Sequence, residues 1–174
     1  MTKLITLLFF IVFTTISSAQ EAIKQVMVDF EIRNLGFTVD GSFDNTAIKI
    51  VKSSDASHIS LSGKAYVKSI NTGNKQRDTD LLEDKYFNET KFPQITVETS
   101  EFELNGNYKE DISLHVTIKG VQKDITGIIQ IKSIASSKKV QIDFDLNRQD
   151  YNVGGSSFLM SKDVKVKVSI TFQE

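Results

Sequence analysis

The side chains that could do chemistry in this chain are few, and their spacing is loose. His58 and His115 are its only two histidines. Each sits in a segment of alternating polarity and takes the polar side, opposite Ile59 in one case and opposite Leu114 and Val116 in the other. A zinc site needs three or four ligands converging on one point, and nothing in the pattern supplies the rest. Both read as surface histidines, and no metal site is expected. Cysteine is absent, which removes disulfides, thiolate metal centres and a cysteine nucleophile together. No Gly-x-Ser-x-Gly elbow and no Gly-x-Gly phosphate loop occurs, so neither a hydrolase turn nor a nucleotide cradle is indicated. The most suggestive polar groups are Arg77 with Asp78, preceded by Asn74, and Arg148 with Asp150. Such groups could meet a carbonyl or phosphate head group. They could equally hold loops in place through hydrogen bonds and ion pairs, with Asn74 a turn residue.

The elements that would position these groups are strands. Val164, Val166, Val168, Ile170 and Phe172 point one way while Lys165, Lys167, Ser169 and Thr171 point the other, the period of two that marks a half-buried strand. The same alternation runs through Val26, Val28, Phe30 and Ile32, through Ile59, Leu61, Gly63, Ala65 and Val67, and through Ile112, Leu114, Val116 and Ile118. It returns at Ile125, Gly127, Ile129 and Ile131, and at Val140, Ile142, Phe144 and Leu146. With Ile95–Val97 and the stretch from Gly41 to Val51, about eight strands are expected. Turn residues divide them at Asp40-Gly41, Asn71-Thr72-Gly73-Asn74, Asn105-Gly106-Asn107, Lys119-Gly120, Ser136-Ser137 and Gly154-Gly155. Connections this short favour antiparallel neighbours. One short helix is expected over Asp80 to Phe87, where Asp80 and Glu83 have capping-box spacing.

Amphipathic antiparallel strands must bury their apolar faces together, as a two-sheet sandwich or as a barrel. A membrane barrel would need an uninterrupted outward apolar band and aromatic girdles; lysines along whole strands argue against it. Gly63, Ala65 and Gly127 fall on inward positions and would leave room for a cavity. Periodicity alone does not choose between a filled barrel and a hollow one.

The first residues belong to targeting and not to the fold. Met1-Thr2-Lys3 is a cationic head, Leu4 to Phe13 an apolar run too short to span a bilayer, and Ser17-Ser18-Ala19 a cleavage signature. Residues 1–19 therefore read as a signal peptide cleaved before Gln20, and residues 20–174 as one domain. The exported chain would reside in the periplasm or be secreted, and with Gln20 in first place it has no cysteine for a lipid anchor. Without Lys3 the charge is 20 basic against 22 acidic residues, with the signs interleaved. A nucleic-acid partner is not expected from such a surface.

Several blocks then carry a family resemblance. Phe30-Glu31-Ile32-Arg33-Asn34-Leu35-Gly36-Phe37 followed by Val39-Asp40-Gly41-Ser42-Phe43 resembles the opening of the YceI-like family, the polyisoprenoid-binding periplasmic proteins. Ser69-Ile70-Asn71-Thr72-Gly73-Asn74 with Arg77-Asp78 and Leu81, then Tyr86-Phe87 and Phe92-Pro93-Gln94-Ile95, resemble its middle. Ile118-Lys119-Gly120-Val121-Gln122-Lys123 and Asn147-Arg148-Gln149-Asp150-Tyr151 resemble its later blocks, in the family order. The resemblance implies an extended eight-stranded antiparallel, lipocalin-like β-barrel that holds an isoprenoid chain, of quinone or polyprenyl type, with no cofactor and no catalytic residues. It also implies a homodimer. Beyond residue 19 no apolar run approaches 18 residues, so at most peripheral contact with a membrane is expected. Two departures stand out: family members often carry histidines where this chain has Asn34 and Asp80.

On this reading the ligand-lining residues are Phe30, Ile32, Phe37, Leu61, Ala65, Val67, Leu114, Val116, Phe144, Phe158, Val166 and Val168. Asn74, Arg77, Asp78, Arg148 and Asp150 either meet the head group or fix loops. The alternative is a filled barrel serving as a structural or protein-binding module; an enzyme on the same scaffold is the third.

Overall fold

The computed structural model describes residues 22–54 and 58–173; the expected signal peptide and Gln20 lie outside these residues. The order of elements is β1 (Ala22–Asn34), β2 (Phe37–Phe43), β3 (Thr46–Lys52), β4 (His58–Tyr66), β5 (Ile70–Asn71), α1 (Lys75–Leu81), β6 (Gln94–Thr99) and β7 (Phe102–Glu103). Four long strands follow: β8 (Tyr108–Ile118), β9 (Val121–Ile134), β10 (Ser137–Asn147) and β11 (Met160–Gln173). All pairing is antiparallel, in one sheet of order β3-β4-β6-β8-β9-β10-β11-β1-β2-β5 with β7 on β4.

The sheet has 11 strands where about eight are expected; β2–β3, β4–β5 and β6–β7 are each one stave interrupted by a short break, which leaves eight staves. The chain from β2 to β3 is a single strand bent at Asp44-Asn45, and β4 to β5 bends opposite it. The bend is held by Asp44 N–H donating to Ser69 O at 3.0 Å and Tyr66 N–H donating to Asn45 O at 3.1 Å. Before the bend, β2 pairs with β1 (Phe30 opposite Gly41); after it, β3 pairs with β4 (Thr46 opposite Ala65). The sheet thus curls round on itself through this bend, and along the seam neither the start of β1, Ala22 to Val28, nor the outer edge of β3 has a ladder partner among the described residues.

One expected turn and the expected helix differ. Asp40-Gly41 is mid-strand in β2, because Gly41 makes room for a facing ring and does not reverse the chain. The helix lies five residues earlier than expected. Asn74 is its N-cap, accepting from Arg77 N–H at 3.1 Å, while Asp80 is already inside the last turn, bound by Gln76 Nε2 at 2.8 Å. Leu35-Gly36 and Lys119-Gly120 are two-residue hairpin turns with positive φ at both positions.

One end of the barrel is filled. Phe102, Leu104, Ile112, Leu114, Ile129, Ile131, Val140 and Phe172 are buried together there, each stabilising by roughly 1.5–3 kcal/mol. Gly127 belongs to this filled part and leaves no space: a Cβ on it would lie 2.9 Å from Leu114 Cδ1 and 3.0 Å from Asp143 O. The opposite end carries the loops of residues 72–93 and 148–159. Gly154 N–H donates to Lys85 O at 2.9 Å, and Lys119 Nζ donates to Asp84 O at 2.6 Å and Asn152 O at 3.0 Å, tying the two loops together.

Candidate functional site

Between the filled end and these loops, about 1510 Å³ is free of protein atoms, counting the part open to solvent. Its walls come from every stave except β9, because inward side chains repeat every second residue on each strand. Val26, Val28, Phe30 and Ile32 of β1 face Leu61, Gly63 and Ala65 of β4, with Val164, Val166 and Val168 of β11 and Phe144 of β10 between them. Three rings run across one side: Phe30 to Phe43 at 5.7 Å and Phe43 to Phe87 at 6.4 Å between centroids. A wall of this kind offers dispersion contacts and no fixed hydrogen-bond pattern, so it suits a flexible apolar chain.

The polar groups collect at the loop end. Arg148, 4% exposed, sits in a short 3₁₀ turn after β10 and also lines the cavity. Its Nε donates to Ser161 O at 2.8 Å, its Nη1 to Val153 O and Gly155 O at 2.7 Å each, and its Nη2 to Met160 O at 3.2 Å. Among the described residues no carboxylate pairs with it and the second N–H of Nη2 finds no acceptor. Burial lowers the guanidinium pKa from its ordinary value, and the nearby Tyr86 hydroxyl opposes that shift. Arg77 lines the cavity from α1, with Nε on Thr72 Oγ1 and Nη2 on Thr72 O, both at 2.7 Å. Thr72 in turn donates from its N–H at 2.9 Å and its hydroxyl at 2.5 Å to Asp78 Oδ1.

The structure sorts the residues picked from sequence. Phe30, Ile32, Leu61, Ala65, Val116, Phe144, Val166 and Val168 line the cavity. Val67 and Leu114, 1% and 0% exposed, are buried in packed regions away from its surface. Phe37 and Phe158 do not line it at all: at 75% and 109% exposed they point to solvent. Phe37 shares the parity of Val39 and Phe43, which line the cavity, but as the first residue of β2, beside the turn and opposite Asn34, it lies past the rim; Phe158 lies in the loop before β11, where alternation places nothing. Of the polar group, Asn74 and Asp78 fix the loop, Asp150 is exposed away from the cavity, and only Arg77 and Arg148 reach it. Sequence reasoning missed Tyr86, Phe87 and Met160, which close the loop end; Tyr86 and Phe87 sit in an irregular segment where no periodicity marks a face, whereas Met160 opens β11 with the parity of Val164, Val166 and Val168, a signal that could have found it. His115 is half exposed and bonds Asp124 through Nδ1 at 2.6 Å. No cluster of metal-ligating side chains occurs among the described residues.

Geometry alone puts the molecule among the antiparallel β-barrels that keep a hollow, apolar interior. The chain belongs to the YceI-like family: its residues 15–172 match the YceI-like domain. The UPF0312 protein of Pseudomonas aeruginosa strain LESB58 is 27% identical over 157 residues, spanning 84% of this chain and 74% of that protein. BcnA of Burkholderia cenocepacia shares the fold with a TM-score of 0.74 at 17% identity, covering 84% of this chain and 95% of its own. A polyisoprenoid-binding domain from Saccharophagus degradans, implicated in plant cell wall breakdown, superposes with a TM-score of 0.69 at 17% identity over 88% of this chain and 96% of its own.

Proposed function

We propose that this protein is exported and that its barrel binds a long-chain isoprenoid or similar lipid, for carriage or sequestration and without covalent change. The observation that carries this reading is the unfilled upper interior, where apolar side chains on β1, β4 and β11 face open space and not one another. Leaving such surface bare is unfavourable, and each methylene buried against it contributes about 0.8 kcal/mol. One five-carbon unit would then contribute roughly 4 kcal/mol before the entropy of ordering the chain is subtracted. The tail lies along the barrel axis and the polar head at the loop end, where the free N–H of Arg148 can donate to a carbonyl or phosphate oxygen. A relative of the same fold described as polyisoprenoid-binding supports the choice of ligand class.

The direct test is organic extraction and mass spectrometry of protein purified from its own host. A stoichiometric isoprenoid or other long-chain lipid is the expected result. Protein that carries no lipid and takes up neither a long-chain quinone nor a polyprenyl phosphate would overturn the reading.

A further inference from the structure

The four most exposed large apolar side chains of the described residues are Phe158, Phe37, Leu159 and Leu35, at 109%, 75%, 61% and 60%. All four lie in or directly beside two loops at the same end of the barrel. The β1–β2 turn holds Leu35 and opens onto Phe37, and the loop before β11 holds Phe158 and Leu159. The loops are joined: Leu35 N–H donates to Leu159 O at 2.7 Å, and Asn34 lies opposite Met160 in the ladder. Asn34 and Met160 also line the cavity, so the apolar loops rim its loop end.

We propose that these loops seat the protein on an anionic lipid bilayer, with the loop end of the barrel facing the membrane. Three observations select this occupant. First, the side chains project from loop tips and form no groove, a shape that enters an interfacial layer more readily than it receives a peptide. Second, residues 33–38 and 152–162 carry two cations, Arg33 and Lys162, and no carboxylate, although both signs alternate along the barrel walls. Glu31, Asp40, Asp150 and Asp163 lie one or two residues beyond these tips. The charged side chains adjoining the apolar tips themselves are these two cations, which complement anionic head groups. Third, the patch is small for a second copy of this chain: a stable protein interface takes roughly 20–30 residues a side, and two short loops do not supply them.

The protein contains no tryptophan, so single reporters can be placed cleanly. Phe158→Trp marks the loop tip, and Ile128→Trp, on the outward face of β9 and 39% exposed, marks the wall. Each is titrated with vesicles of phosphatidylcholine alone and of phosphatidylcholine with phosphatidylglycerol. The expected result is a blue shift at position 158 on the anionic vesicles, quenched by brominated acyl chains and weakened by salt, with no change at position 128. Phe158→Asp in a protein of unchanged melting temperature should weaken vesicle binding by about tenfold or more; Leu35→Ser serves as an independent second variant. No shift at either position, or equal shifts at both, would overturn the proposal. So would concentration-dependent self-association abolished by Phe158→Asp in protein that ignores vesicles, which would give the patch to a second copy. Because vesicle binding does not require uptake of lipid, this test can fail while the interior remains a lipid site, and the reverse also holds.

Discussion

The far edge of the Phe30 ring occupies the place of a side chain on Gly41, its partner across the β1–β2 ladder: a Cβ there would lie 2.3 Å from Phe30 Cζ. Glycine at this point of a strand gives up packing and chain entropy, and in return lets the ring lie flat against the wall and leaves the cavity clear.

Gly41→Ala should therefore push Phe30 toward the interior. Overpacking of this kind costs about 1–3 kcal/mol, here near the lower limit because the ring has open space to enter. Retention of a long-chain quinone should fall severalfold while the melting temperature drops only slightly. Unchanged retention would show that Phe30 is not a wall of the site.

Arg148 holds the loop of residues 153–161 through four hydrogen bonds to backbone carbonyls. Hydrogen bonds from a charged donor each contribute about 1.5–3 kcal/mol, and buried carbonyls left unpaired lose more. Arg148→Met should cost several kcal/mol in chemical denaturation, and Arg148→Lys should rescue little, because one ammonium cannot span carbonyls as far apart in the loop as Val153 and Ser161. A loss under half a kcal/mol for Arg148→Met would refute the loop-fixing role.

Tyr151 gives a pH dependence. Its hydroxyl is buried with no hydrogen-bond partner among the described residues, and burial pushes its pKa up from 10.0 to about 12. A group whose pKa is raised by folding contributes stability that is fully present below its unfolded pKa and is lost as pH rises through the folded one. The window is therefore pH 10 to 12, and two pKa units correspond to about 2.7 kcal/mol. Tyr151→Phe should be as stable as the wild type or slightly more so at pH 7, since an unpaired hydroxyl disappears. Above pH 10 its advantage should widen by roughly 2–3 kcal/mol. Parallel stability curves for the two proteins across that range would contradict this.

The strands were legible because side chains on a strand obey a period of two whatever the protein does. Eight staves and the inward sets of β1, β4, β8, β10 and β11 follow from it. What it could not show is the bend at Asp44-Asn45, which comes from a shared irregularity in two neighbouring strands, or the true helix start, where Asn74 out-competed Asp80 as a cap. Gly127 was misread for a related reason. Smallness on an inward face signals close approach as readily as empty space, and only the packing of Leu114 and Phe144 against it decides. Phe158 lies in a loop that follows no alternation, and Phe37, though it has the parity of Val39 and Phe43, stands at the end of β2 where the inward face has already run out.

The facing of β11 can be checked by charge. Val168 lines the cavity, whereas Lys167 points outward between Asp29 of β1 and Asp143 of β10. Val168→Asp should cost several kcal/mol by placing a carboxylate among apolar side chains. Lys167→Asp should cost about 1 kcal/mol, since it sets like charges side by side in the ladder. Equal shifts in melting temperature would mean the faces are assigned wrongly.

The central claim is that the upper interior is a ligand space and not a core. Ala65, on β4 between Thr46 and Ile95, is buried but lines that space. The measurement is bound lipid per mole in wild type and in Ala65→Phe, taken with the melting temperature of each after lipid is stripped. The added ring should enter the cavity, lower the stripped melting temperature little, and reduce bound lipid severalfold or more. A packed core would instead lose about 1–3 kcal/mol to overpacking, and that loss together with lipid-free wild type would contradict the account.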